Sequence, residues 1–317
     1  LKKAVLSMTQ KGGPMTALGA ALQGEIQQEG VEVRSLHPLF AAEIIGLDLA
    51  QPADAASVRF VIEALGRHGV LVFRDQGHVT APQQIAFSAN FGPLEIHVQK
   101  TFLLKGHPEI LIVSNVVENG VPQGLVDAGH YWHSDLSYRV EPSLGSLLHL
   151  KERPAEGGDT LFASLAAAYD ELGEAMKARL SGLTAVHDYN ARNSIQAAKS
   201  EGLRPALTAD QARTVPPAIH PVVRRHETSG EPLLFVNEGF TTRIVELDEA
   251  ESSSLLAELF AHQKNPRFHY RHQWRDSDLL FWDNRSTSHL ATGTPPNLRR
   301  TLYRTTIRGP VPTAYRV

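Results

Sequence analysis

Apolar positions along this chain fall into two rhythms. Short runs rich in Val, Ile, Leu or aromatic residues recur at 69–74, 109–113, 147–151, 219–223, 233–237, 268–274, 279–282 and 301–307. Each is closed off by Gly, Pro, Asn or Asp, the pattern that predicts strands. Four other stretches carry the helical period of 3.6 residues. One spans 56–66, with Val58, Val61, Ile62 and Leu65 on one face. A second follows Thr80, a natural N-cap, holds Ile85 and Phe87, and stops at Gly92-Pro93. A third spans 164–180, with Leu165, Ala168, Leu172, Met176 and Leu180 aligned. The fourth starts at Asp248, packs Leu255, Leu256, Leu259 and Phe260, and ends before Pro266.

Strands outnumber helices and do not alternate with them as a doubly wound sheet requires. The pattern therefore predicts a mainly β fold with flanking helices, a barrel or double sheet. Neither repeats nor a low-complexity linker interrupt it, so residues 29–317 read as one domain and residues 1–28 as an N-terminal extension.

Composition narrows the chemistry. The 317 residues include no cysteine, which excludes disulfides, thiolate metal sites and cysteine nucleophiles. Any metal must be held by His, Asp or Glu, and fifteen histidines make that feasible. A net charge of −3 with scattered basic residues argues against a nucleic-acid or membrane surface. No apolar run is long enough to span a bilayer. The first residues, Leu1-Lys2-Lys3-Ala4-Val5-Leu6, lack the apolar stretch of an export signal, so a cytoplasmic location is expected.

The segment Tyr131-Trp132-His133-Ser134-Asp135 carries the strongest signal. In an extended strand, residues two apart point to the same face, so His133 and Asp135 present an imidazole and a carboxylate to one point. His289, just past the run at 279–282, is the best third ligand. Two His and one carboxylate on one face of a metal leave three positions open, the arrangement suited to iron(II) oxygenases. Zinc hydrolysis by the same three residues is a weaker rival, because no positioned general base accompanies them. His-x-Asp alone is a coincidence of common residues; its context changes that.

Within 298–308, alternation sets Arg300, Leu302, Arg304 and Thr306 on one face. By itself this is a charged edge strand. Beside a metal site, two arginines offer forked donors for a dicarboxylate or an anionic substrate. Gly157-Gly158-Asp159-Thr160 makes a turn that delivers Thr160 into a strand, where its hydroxyl can share a carboxylate with an arginine.

Together these residues resemble the TauD/TfdA (taurine dioxygenase) family of Fe(II)/2-oxoglutarate-dependent dioxygenases, which includes the 2,4-dichlorophenoxyacetate dioxygenases. The resemblance runs from about Gly46 to Pro310. It is carried by Trp132-His133-Ser134-Asp135, Glu156-Gly157-Gly158-Asp159-Thr160, the run from Leu234 to Ile244, Phe281-Trp282-Asp283-Asn284-Arg285, and the Arg300/Arg304 pair.

The resemblance implies a double-stranded β-helix (jelly-roll, cupin-like) core with Fe(II) held by His133, Asp135 and His289. It implies 2-oxoglutarate and O₂ as cosubstrates, with Thr160 and Arg300 holding the distal carboxylate of 2-oxoglutarate and Arg304 nearby. It further assigns His97, Leu136, Phe240 and Arg304 to the substrate pocket. Lys100 stands where taurine-specific members have tyrosine, Asn193 replaces a pocket phenylalanine, and Gly129 replaces an asparagine.

The expected substrate is a small organic anion met by His97, Lys100 and Arg304, foremost an alkylsulfonate cleaved to sulfite and an aldehyde. The alternatives are an aryloxyalkanoate or alkyl sulfate ester, and, in another class, a metal- or anion-binding β-barrel without turnover. Family members commonly self-associate, so a homo-oligomer is expected.

Overall fold

The computed structural model describes residues 28–126, 129–199 and 206–316. The expected N-terminal extension lies outside the described residues except for Gln28, whose side-chain amide donates to the Ser57 hydroxyl.

Two sheets face each other. The larger has eight strands in the order Glu32–Ser35, Ala42–Ile45, Val70–Phe73, Leu279–Asp283, Ser143–Glu152, Thr301–Arg308, His107–Ser114 and Leu103–Leu104. Its pairings are antiparallel except that of Ala42–Ile45 with Val70–Phe73. The opposing sheet joins His269–His272, Thr160–Ser164 and Thr287–Ala291, also antiparallel. A second three-stranded sheet, Ala218–Pro221, Thr184–His187 and Thr241–Ile244, lies alongside a pair formed by Val223–Arg225 and Pro232–Leu234.

Alternation along the central strands explains why their apolar runs are unbroken. Val70, Val72, Leu148, Leu150, Leu280, Trp282 and Leu302 pack inward against Phe162 and Tyr270 of the opposing sheet. Their neighbours Leu71, Phe73, Leu147, Leu279, Phe281 and Ile307 pack outward against Phe60, Val61, Ala64, Leu65 and Phe87. Those partners lie on the helices Ala55–His68 and Ala81–Ala89. Both faces of the central strands are therefore dry, as their composition requires. Asp54 caps the first helix through the Ser57 N–H, and Gly69 ends it in a left-handed turn at φ 65°. The result is the jelly-roll core expected.

Two expectations are corrected. The helix over 164–180 is two helices, Leu165–Asp170 and Glu174–Leu180, because Gly173 adopts extended angles and caps the second. Ala168, Leu172 and Leu180 still share one apolar cluster, so the period found the buried face but not the break. The run at 219–223 is also divided, between Ala218–Pro221 and Val223–Arg225, and the chain passes from one sheet to the next. Among the described residues, no helix is long and apolar enough to cross a membrane.

Candidate active site

His133 and His289 are joined by their backbones. The His133 N–H donates to the His289 carbonyl at 3.0 Å, and the His289 N–H returns the bond at 2.7 Å. This bridge ties an isolated residue of one segment to the strand Thr287–Ala291 of the opposing sheet. The extended strand expected over 131–135 is corrected here. Only His133 pairs, and the chain turns at Asp135, with Leu136 held at a positive φ of 56°. Asp135 stands at the start of that turn. Ligand atoms of His133, Asp135 and His289 lie within 4.8 Å of one another, and all three residues are buried. The Nε2 atoms of His133 and His289 stand 3.7 and 3.9 Å from the two Asp135 oxygens.

Each donor is oriented by a fixed partner. The Nδ1–H of His133 faces the Tyr131 carbonyl at 2.9 Å, which leaves the Nε2 lone pair toward Asp135. Asp135 accepts from Arg304 Nη1 at 2.9 Å on one oxygen and from the Ser146 hydroxyl at 2.7 Å on the other. Its own N–H donates to Oδ1 of Asn284 at 2.9 Å. Asn284 also accepts from the Trp282 indole and donates to Ser143 and Ser146. The edge of Trp282 in turn packs on the His289 ring.

Burial pushes both imidazoles below the usual histidine range, His289 furthest, so both are neutral. Burial opposes the charge on Asp135, but Arg304 foremost, with the Ser146 hydroxyl, holds its carboxyl well below the usual range. Two neutral imidazoles and one ionised carboxylate form a donor set that fits a divalent cation with open positions.

Next to this cluster lies a pocket lined by Thr160, Arg300 and Arg304 together with His133 and His289. The Arg300 guanidinium is buried, its Nε has no partner among the described residues, and burial brings its pKa down to about 10. Gly158, at φ 74°, lets this arginine lie against the turn, since a Cβ there would come within 2.8 Å of Arg300 Cδ. A buried guanidinium whose Nε has no partner among the described residues, beside a threonine hydroxyl, has the donor chemistry that fits the distal carboxylate of a keto diacid.

A second pocket opens on the other side of the cluster. His97, Leu136, Phe240 and Arg304, the residues that the resemblance assigns to the substrate, line it with His133 and Asp135. Three aromatic residues that sequence reasoning missed, Tyr131, Tyr138 and Tyr189, line it too. Their signal was available in part: Tyr131 opens the His133 segment, and Tyr189 begins the helix Tyr189–Lys199.

Lys100 is a correction. It is exposed at the head of a short helical turn, Lys100–Phe102, and does not line this pocket. Asn193 is buried against Gln99, whose amide donates to its Oδ1 at 3.1 Å, and it is not among the residues lining the pocket. Gly129 does line both pockets, and a Cβ on it would come within 2.8 Å of His133 Cε1.

Two histidines and an aspartate at the mouth of a jelly roll, beside an arginine cradle, fit the class of mononuclear non-haem iron oxygenases. The family described as "Taurine catabolism dioxygenase TauD, TfdA family" matches residues 32–306, and the chain belongs to it.

An alpha-ketoglutarate-dependent 2,4-dichlorophenoxyacetate dioxygenase from Burkholderia sp. (strain RASC) is 36% identical, over 86% of this chain and 93% of the relative. An alpha-ketoglutarate-dependent sulfate ester dioxygenase from Pseudomonas putida is 34% identical, over 87% of this chain and 90% of the relative. The crystal structure of a taurine dioxygenase from Burkholderia xenovorans superposes with a TM-score of 0.74 at 33% identity. It covers 90% of this chain and 93% of its own. The protein is a 2-oxoglutarate-dependent dioxygenase, an oxidoreductase of a family that uses Fe(II), 2-oxoglutarate and O₂.

Proposed function

We propose that His133, Asp135 and His289 hold the ferrous ion, and that Thr160 and Arg300 clamp the distal carboxylate of 2-oxoglutarate. The observation that carries this reading is the convergence of three buried ligand residues within 4.8 Å, on the pocket that also holds the Arg300 cradle. When bound, iron and 2-oxoglutarate supply the activation of O₂. One oxygen atom goes into a substrate C–H bond, and 2-oxoglutarate becomes succinate and CO₂.

The protein supplies orientation and electrostatics. Ser146 and Asn284 aim the Asp135 carboxylate. Arg304 balances its charge, and Tyr131, Tyr138, Tyr189 and Phe240 keep the substrate side of the cluster dry.

The substrate is a small organic anion. An aromatic-walled pocket favours an aryl-bearing carboxylate, an aryloxyalkanoate, over a short alkylsulfonate. Of the three donors gathered for a sulfonate, Lys100 is exposed, and Arg304 gives one Nη1 hydrogen to Asp135. The 36% identity to a 2,4-dichlorophenoxyacetate dioxygenase supports the same choice. An alkylsulfonate, split to sulfite and an aldehyde, is the second reading, supported by His97 on the pocket wall and the likeness to a taurine dioxygenase.

Succinate formation by the iron-loaded enzyme is the test, with 2,4-dichlorophenoxyacetate, hexyl sulfate and taurine as separate substrates. Phenol release from the first is expected to dominate. Sulfite release from taurine alone would transfer the assignment to the second reading. Succinate formation that no member of the panel stimulates would remove both.

A further inference from the structure

Thr160 and Arg300 share a neighbour that does not line their pocket. Trp274 lies two residues beyond the strand His269–His272, in which His272 pairs with Thr160. Its side chain folds back over that pairing and is buried. The indole Nε1–H donates to Thr160 Oγ1 at 3.1 Å, and the Arg300 guanidinium stands over the same ring at 5.7 Å.

The indole is itself held. It meets the His272 ring edge-on at 4.8 Å. His272 is fully buried, with Nε2 on Asp278 at 3.1 Å and Nδ1 receiving the Tyr270 hydroxyl at 3.2 Å. Asp278 is anchored further by Arg74 and by the Arg275 N–H.

This arrangement decides the polarity of the Thr160 hydroxyl. An indole N–H can only donate, so the threonine oxygen must accept there, and a hydroxyl has a single hydrogen to give elsewhere. Among the described residues, Trp274 is the one hydrogen-bond partner of that hydroxyl. Its hydrogen is thus uncommitted, and Thr160 and Arg300 line the same pocket. A donor is what a carboxylate requires.

We propose that Trp274 is a positioning residue for the cosubstrate: it fixes Thr160 as a hydrogen-bond donor and steadies Arg300 over its ring face, and so sets the affinity for 2-oxoglutarate. The inference rests on the reading of Thr160 and Arg300 as the carboxylate clamp. Trp274 acts through these two residues and touches neither iron nor substrate.

A double-mutant cycle, read by direct calorimetric binding of 2-oxoglutarate to the anaerobic Fe(II) protein, tests it. Trp274→Phe keeps an aromatic face but removes the N–H, and is expected to weaken binding about 5- to 10-fold, one oriented hydrogen bond. Thr160→Val is expected to lose at least as much. In the Thr160→Val background, Trp274→Phe should then cost less than about 2-fold, because its target is gone.

Wild-type affinity in Trp274→Phe, or full additivity of the two losses, overturns the proposal while leaving the clamp intact. Unchanged affinity in Thr160→Val instead overturns the clamp reading itself.

Should the phenylalanine variant not fold, the native indole reports directly. Trp132, Trp274 and Trp282 give three indole N–H resonances in ¹⁵N spectra of the zinc(II)-substituted protein. Trp282 lines the cosubstrate pocket and is expected to respond in any case; the resonance moved by Thr160→Val should also move with 2-oxoglutarate in the wild type. A Thr160-sensitive resonance that 2-oxoglutarate leaves unmoved contradicts the proposal.

Discussion

Asn284→Ala strikes the scaffold of the metal cluster without removing a ligand. Asn284 is buried and makes four hydrogen bonds of 2.9–3.0 Å, two accepted from the Asp135 N–H and the Trp282 indole, two donated to Ser143 and Ser146. Truncation strands two buried donors, each costing about 1–3 kcal/mol, for a total of about 2–6 kcal/mol. The effect reaches both sides of the cluster, since Ser146 also holds Asp135 and Trp282 also packs on His289. Groups that orient metal ligands this way typically control affinity by roughly 10- to 100-fold. The assay is urea denaturation of the metal-free protein, paired with calorimetric Fe(II) binding under anaerobic conditions. A stability loss below about 1 kcal/mol together with unchanged iron affinity would refute the reasoning. Loss of stability with full iron affinity would make Asn284 a fold residue only.

Other substitutions separate the parts of the site. Arg300→Ala should weaken 2-oxoglutarate binding by about 2–5 kcal/mol, roughly 30-fold to several thousand-fold, because a buried carboxylate loses its charged partner; a direct binding isotherm checks it. Gly129→Ala should lower iron affinity about 10-fold or more, since its Cβ meets His133 Cε1 at 2.8 Å. Gly106→Ala, at a similar φ of 84° but with open space around the Cβ, should cost stability alone, which calorimetry distinguishes. Burial lowers His149 to about 3 and His220 to about 4, from an ordinary 6.5. The unfolded chain therefore takes up their protons first. Stability is whole above about pH 6.5 and is lost as pH falls toward 4. The urea midpoint of the metal-free protein should drop between pH 7.5 and pH 5, and a midpoint that holds or rises would contradict this.

Much of the core was legible because both faces of the large sheet's central strands are dry. Leu279-Leu280-Phe281-Trp282 reads as a strand whether or not its partners are known. The proposed metal cluster was legible through residue types: His133, Asp135 and His289 come together, and Thr160 and Arg300 line one pocket.

The local geometry was not legible. Asp135 starts a turn set by long-range bonds to Asn284, Ser146 and Arg304, and no short-range pattern encodes such bonds. Lys100 looked like an anion donor because lysine suits the role, yet its place at the start of a surface turn turns it outward. Tyr189 and Trp274 escaped notice because each reaches its site by packing across the fold: Tyr189 against Tyr138, Trp274 against Thr160.

Anomalous diffraction at the iron edge, from crystals grown anaerobically with Fe(II) and 2-oxoglutarate, locates the ion and the keto diacid together. One strong peak is expected, bounded by His133, Asp135 and His289, with the distal carboxylate against Arg300 and Thr160. A peak elsewhere, or a carboxylate that leaves Arg300 unpaired, would contradict the proposed site.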